Sequence, residues 1–119
     1  MMKILLIDDE PNLRETIAEM LMFSGYEVCL AKDGNDGLQK ATAFRPDIII
    51  CDVMMPDLDG YGFVTKHMDS NLSHVPVLML TAKVEEKDEA YGFSLGVKAY
   101  IRKPFSFKEL QEKITSCTT

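Results

Sequence analysis

Four stretches of this sequence carry side chains that could do chemistry together: Asp8-Asp9-Glu10, Asp52, Thr81-Ala82-Lys83 and Arg102-Lys103-Pro104. If Asp8, Asp9 and Asp52 share a partly dry cleft, their charges repel by several kcal/mol and need a counter-charge. A divalent cation supplies it. Hard oxygen ligands with room for water suit Mg²⁺, with Mn²⁺ as a substitute. Lys103 adds a cation able to pair with a carboxylate or with a phosphoryl group on it, and Thr81 adds a hydroxyl donor. Nucleophile, metal, cationic clamp and donor together suit phosphoryl transfer onto an aspartate, with Asp52 as the acceptor.

The flanking residues say what must hold these groups. Asp52 ends the run Ile48-Ile49-Ile50-Cys51, whose β-branched, uninterrupted apolar character is that of a parallel strand buried on both faces. Pro56 and Gly60 then punctuate a loop. Residues 3–7 are a first strand ending at Asp8, and Pro11 opens a helix with Leu13, Ile17, Met20 and Leu21 at helical spacing up to Gly25. A second strand over 26–31 precedes a helix that Asp33 can cap and Arg45-Pro46 ends. A short helix is expected from Gly60 to about residue 68, then a polar loop over 69–74. A fourth strand is expected over 75–80, a highly charged helix over 85–95 closed by Gly96, and a fifth strand over 98–101. Ser106 and Glu109 form a capping box for a last helix striped by Phe107, Leu110 and Ile114.

Strands alternating with helices imply a parallel sheet with every strand's C-terminal end on one rim. The expected fold is a three-layer, doubly wound, flavodoxin-like α/β domain with five strands in the order 2-1-3-4-5 and five helices, and one such domain fills residues 1–119. That order sets strands one and three side by side at the switch point, where the site opens. Taken singly, Asp8-Asp9-Glu10 is an ordinary solvated turn, Thr81 a strand-end residue and Lys103 a surface lysine. Their joint placement at successive strand ends is what separates them from such readings. Asp57 and Asp59 read as turn carboxylates beside Gly60, His67 and His74 as solvent-facing or loop histidines, and Met54 and Met55 as exposed loop residues.

Composition narrows the function further. Thirteen Lys and Arg against nineteen Asp and Glu give a formal charge of −6, which argues against broad nucleic-acid binding by this chain and against an acidic partner. No apolar run approaches a membrane span or a signal-peptide core, so a soluble cytoplasmic protein is expected. Three widely separated cysteines, Cys29, Cys51 and Cys117, have no metal-ligand spacing and read as free thiols.

The chain resembles the receiver domain of two-component response regulators from residue 3 to about residue 114. The resemblance rests on Ile7-Asp8-Asp9-Glu10, the stretch Asp52-Val53-Met54-Met55-Pro56-Asp57-Leu58-Asp59-Gly60, Thr81-Ala82, and Lys103-Pro104-Phe105. It implies that Asp52 takes a phosphoryl group from a histidine kinase or phosphotransfer protein, and that Asp8, Asp9, Asp52 and the Met54 backbone carbonyl hold Mg²⁺. Thr81 and Lys103 would bind the phosphoryl oxygens, the Lys103-Pro104 bond would be cis, and small Ala82 would leave the phosphoryl group space. Tyr100 matches the aromatic that follows Thr81 when the switch is thrown. The remodelled face, made by the fourth helix, fifth strand and fifth helix, would then meet an output domain, another partner or a second copy of the chain. Catalysis would be confined to the protein's own Mg²⁺-dependent aspartyl phosphorylation and dephosphorylation. Met54 and Lys83 occupy the two positions that tune phosphoryl loss, and an apolar Met54 that cannot orient water implies a long-lived phosphate.

Three other readings compete. A haloacid dehalogenase-type phosphatase needs an acid two residues after its nucleophile, where Met54 stands. A flavodoxin-like cofactor carrier wants a neutral phosphate loop where Asp8-Asp9-Glu10 would repel phosphate. A degenerate receiver acting only as an interaction module would not fill every site position.

Overall fold

The computed structural model describes residues 1–82 and 86–119, with Glu86 and Lys87 described by backbone alone. Five strands, β1 (Lys3–Ile7), β2 (Glu27–Ala31), β3 (Ile48–Asp52), β4 (Val77–Thr81) and β5 (Ala99–Arg102), form one parallel sheet in the order β2-β1-β3-β4-β5. Five helices connect and complete them: α1 (Pro11–Phe23), α2 (Gly34–Phe44), α3 (Gly60–Met68), α4 (Glu86–Leu95) and α5 (Phe107–Thr118). The doubly wound α/β architecture expected from the alternation is therefore the fold of the protein.

The strands alternate strictly between two cores, as the two-residue period of a strand demands. Leu5, Ile7, Ile49, Cys51, Val77 and Met79 pack with Ala41, Phe63 and Val64 from α2 and α3. Ile4, Leu6, Ile48, Ile50, Leu78 and Leu80 pack with Ile17, Leu21, Leu110 and Ile114 from α1 and α5. Because α1 and α2 cover opposite faces, the chain reverses its winding between β1 and β3, and a cleft opens above their ends.

Helix starts are set by side chains that satisfy orphan backbone donors. Glu10 caps α1 by accepting from the amides of Asn12 and Leu13, ahead of Pro11. Asp33 caps α2, and the Ser106–Glu109 capping box closes on α5. Asp59, which the sequence suggests is only a turn carboxylate, accepts from the Gly62 amide at 2.8 Å and caps α3. Gly96 follows α4 at φ +118°, a conformation that side chains disfavour. The fourth strand begins two residues later than expected, because the Val75 amide donates to Leu72 and closes a turn instead of joining the sheet. That turn is less polar than its sequence suggests, since Leu72 is buried. No helix among the described residues is long and apolar enough to cross a membrane.

Candidate functional site

Register carries the sequence-predicted residues to one place. Ile7 pairs with Cys51, so Asp8 leaves β1 alongside Asp52 at the tip of β3. Asp52 pairs with Leu80 and Thr81 with Arg102, which sets Thr81 and Lys103 on the next two strand ends. Carboxylate oxygens of Asp8, Asp9 and Asp52 all lie within 4.8 Å of one another, with Asp8 and Asp52 buried and Asp9 exposed. Lys103 Nζ reaches Asp52 Oδ2 at 3.2 Å and Asp8 Oδ2 at 3.8 Å. Its own amide donates to the Thr81 carbonyl at 2.7 Å, and the Lys103–Pro104 peptide is cis.

The electrostatics of this corner are unbalanced. Asp8 Oδ1 accepts from the Glu10 amide at 2.9 Å. Asp8 Oδ2, by contrast, is a buried side-chain oxygen with no hydrogen-bond partner among the described residues, Lys103 standing beyond bonding distance. Burial pushes the Asp8 carboxyl above its ordinary range. The neighbouring Asp52 and Asp9 charges push the same way, against the Glu10 amide and Lys103. One lysine does not balance three carboxylates. An orphaned oxygen among hard, convergent oxygen donors is the environment a small divalent cation fits, and Asp8, Asp9 and Asp52 are the residues that would hold it. Beneath them lies Cys51, whose thiol is pushed well above its ordinary range by burial first and then by the Asp52, Asp8 and Asp59 charges.

The remaining positions divide. Met54 is 76 % exposed at the mouth of the cleft, with its amide donating to Asp52 Oδ1 at 3.3 Å. Met55 does not share that exposure: it is 9 % exposed and joins the core, so the loop after β3 is anchored from within immediately beyond Met54. Ala82 is exposed beside buried Thr81, and Lys83 lies outside the described residues. Tyr100 is buried under α4. His67 is not solvent-facing. It is 1 % exposed, stacks on Phe63 at 5.7 Å between ring centroids and meets the Val75 carbonyl at 3.0 Å through Nε2. Its apolar neighbours in α3 were the available signal: Phe63 lies four residues earlier, on the buried face.

Two contributors escaped the sequence reading. Arg14, in the second turn of α1, reaches back to donate to the Asp8 backbone carbonyl at 2.7 Å and ties the acidic loop to the helix. Tyr61, in the first turn of α3, sets its hydroxyl 3.3 Å from the Asp88 carbonyl of α4. Neither contact follows a local spacing rule, because each depends on how two elements meet.

Comparison with known proteins agrees with this geometry. The family model described as the response regulator receiver domain matches residues 4–115. The chain is 43% identical over 112 residues to the alkaline phosphatase synthesis transcriptional regulatory protein PhoP of Bacillus subtilis, covering 94% of this chain and 46% of that protein. It is 39% identical over 113 residues to the response regulator MprA of Mycobacterium leprae, covering 95% of this chain and 49% of that protein. The chain thus spans about half the length of the curated relatives it matches. Among solved structures, the chemotaxis protein CheY4 of Vibrio cholerae superimposes with a TM-score of 0.93 at 35% identity, covering 98% of each chain. The receiver domain of the sensor histidine kinase PA1611 of Pseudomonas aeruginosa, which has a magnesium ion coordinated in its active-site cleft, superimposes at 0.89 with 33% identity, covering 98% of this chain and 97% of that one.

Proposed function

Because this chain belongs to the response regulator receiver domain family, we propose that it is a single receiver unit in which Asp52 accepts a phosphoryl group from a phosphohistidine donor, a histidine kinase or a phosphotransfer protein. The observation that carries the reading is the convergence on Asp52 of Lys103 at 3.2 Å and of the Asp8 and Asp9 carboxylates within 4.8 Å. In the transfer, an Asp52 carboxylate oxygen attacks phosphorus, the phosphorus–nitrogen bond breaks, and the electron pair leaves with the donor imidazole. Lys103, already paired with Asp52, follows the charge onto the phosphoryl oxygens, and the Thr81 hydroxyl donates to another. Asp8 and Asp9, with Asp52 and the Met54 carbonyl, would hold Mg²⁺ or Mn²⁺, which would neutralise charge on the transferring group. The magnesium ion of the PA1611 receiver domain, a similar structure, supports this assignment. Met54 at the mouth, small Ala82 and Lys83 tune how readily water reaches the phosphoaspartate.

Signalling then needs a shift of conformer. Moving an equilibrium from 1:99 to 99:1 takes about 5.5 kcal/mol, and hydrogen bonds to charged groups contribute roughly 1.5–3 kcal/mol each. Two or three new hydrogen bonds from Thr81 and Lys103 are of the right order. We infer that the output is read from the face of α4, β5 and α5, by an output domain, a partner or a second copy of the chain, with Thr81 and Tyr100 relaying the change.

Intact-mass measurement after incubation with Mg²⁺ and a small phosphodonor tests the assignment. Wild type gains one phosphoryl adduct and Asp52→Ala gains none; an undiminished adduct in the variant would overturn it.

A further inference from the structure

Where α3, α4 and β5 meet, the side chains are arranged around a missing one. Tyr100 of β5 is 7 % exposed, its hydroxyl 3.4 Å from the Asp88 carbonyl of α4 and 3.5 Å from the Tyr61 hydroxyl of α3. These contacts are long for hydroxyl hydrogen bonds, so they do not by themselves fix the ring. Steric confinement does. A Cβ built on Gly92 of α4 would lie 1.7 Å from Tyr100 Oη, 2.9 Å from its Cζ and 3.1 Å from Tyr61 Cε1. The phenolic oxygen is rigidly tied to its ring, so no movement of a flexible chain end relieves that overlap.

Gly92 sits inside the helix, where glycine is less stable than alanine. Its φ is not in the left-handed range, so no turn requires glycine there. The residues on either side of it complete the pattern. Tyr91 and Phe93 are both about half exposed. Tyr91 packs edge-on against Tyr61 at 5.4 Å, and Phe93 edge-on against Tyr100 at 5.2 Å. Two buried or half-buried tyrosines thus back the two aromatic rings that α4 shows to solvent.

We propose that Gly92 is the residue that admits the Tyr100 ring beneath α4, with Tyr61 as the far wall, so that the buried position of Tyr100 and the seating of α4 with Tyr91 and Phe93 form one coupled arrangement. The regulatory meaning rests on the reading of Tyr100 as the relay above, while the coupling rests on the contacts alone. Any side chain at position 92 has to expel Tyr100 or lift α4.

A thermal double-mutant cycle on the whole chain, without Mg²⁺ or phosphodonor, tests the coupling whatever Asp52 does. With Tyr100 present, Gly92→Ala lowers the unfolding midpoint. In a Tyr100→Ala background the same substitution raises it, because the space Tyr100 leaves lets the Tyr61 ring yield by a few tenths of an ångström and alanine then improves the helix. If Gly92→Ala alone fails to fold, recovery of folding in the double variant supports the coupling, and continued failure overturns it. Fluorine NMR of protein carrying 3-fluorotyrosine gives a second reading, with the Tyr100 signal assigned by its loss in Tyr100→Phe. Gly92→Ala moves that signal towards its value in unfolded chain. An unmoved signal, or a midpoint change of the same sign in both backgrounds, would remove Gly92 from this role.

Discussion

At the scale of single residues, the site is a set of charges held in tension. Asp8 is buried, carries an oxygen with no hydrogen-bond partner among the described residues and faces two other carboxylates. Asp8→Asn relieves repulsion, so the metal-free protein should unfold at a higher temperature. The same change removes a charged ligand worth roughly 1.5–3 kcal/mol, so Mg²⁺ affinity by titration calorimetry should fall by about tenfold or more. A variant with a lower midpoint and unchanged affinity would show that Asp8 is structural only. Met54 offers no polar group to the cleft mouth, and we expect Met54→Asn to lose its phosphoryl group about fivefold faster, the effect of one ordered water contact of about 1 kcal/mol. Decay of the intact-mass adduct with time measures it, and slower decay in the variant would refute the role. Asp8, Asp52 and Thr81 were legible because each directly follows an apolar run, and Lys103 because only Arg102 separates it from one, so that finding the strands also found the residues. Arg14 was not, since a side chain's reach across a loop has no counterpart in local spacing, and the burial of His67 was signalled only by its place four residues after Phe63.

At the scale of elements, α3 shows how far sequence rules extend. Its start and end agree with the expected Gly60 and residue 68. The loop after it, however, is pinned by His67, whose ring meets the Val75 carbonyl just ahead of β4. Burial chiefly, and His74 in the same direction, hold the His67 imidazole below its ordinary protonation range, opposed by the Val75 carbonyl. The folded state therefore resists a proton that the unfolded chain takes up near pH 6.5. His67's contribution to stability is complete above that pH and falls as pH drops towards the folded value. Unfolding midpoints between pH 7.5 and 5 should fall more steeply for wild type than for His67→Gln, whose amide can still donate to Val75; parallel curves would show that His67 carries no linkage. Helix caps at Asp33 and Ser106 were readable from sequence because capping is local. Strand starts such as Val75 shifted because a nearby turn captured the backbone donor first.

At the scale of the molecule, strand order was the least local expectation: periodicity cannot fix it, and the order 2-1-3-4-5 is one that sets strands one and three side by side where doubly wound sheets open. The observed order β2-β1-β3-β4-β5 agrees with it. What the rule cannot supply is which side chains cross between layers, and the meeting of Tyr61, Gly92 and Tyr100 is of that kind. The sheet also distributes stability unevenly. β3 is buried along its whole length, whereas β2 at the edge has only Ala31 fully buried.

That gradient gives the protein three internal depth gauges. Cys29 lies half-buried on the edge strand, Cys117 is buried in the last helix, and Cys51 is sealed in β3 directly beneath Asp52. A thiol reagent attacks only exposed thiolate, and Cys51 is both hidden and held protonated. Under native conditions Cys29 should label first and Cys51 last, at a rate set by the opening of the central strand. Because a bound cation stabilises only the folded chain, Mg²⁺ at about 100 times its Kd should slow Cys51 labelling by roughly a hundredfold if that opening dismantles the carboxylate cluster. Mass spectrometry of the labelled peptides reads this directly, and a Cys51 rate indifferent to Mg²⁺ would mean that β3 opens while the cluster stays intact. The chain thus carries, one residue below its proposed phosphoacceptor, a built-in clock for how often its centre comes apart.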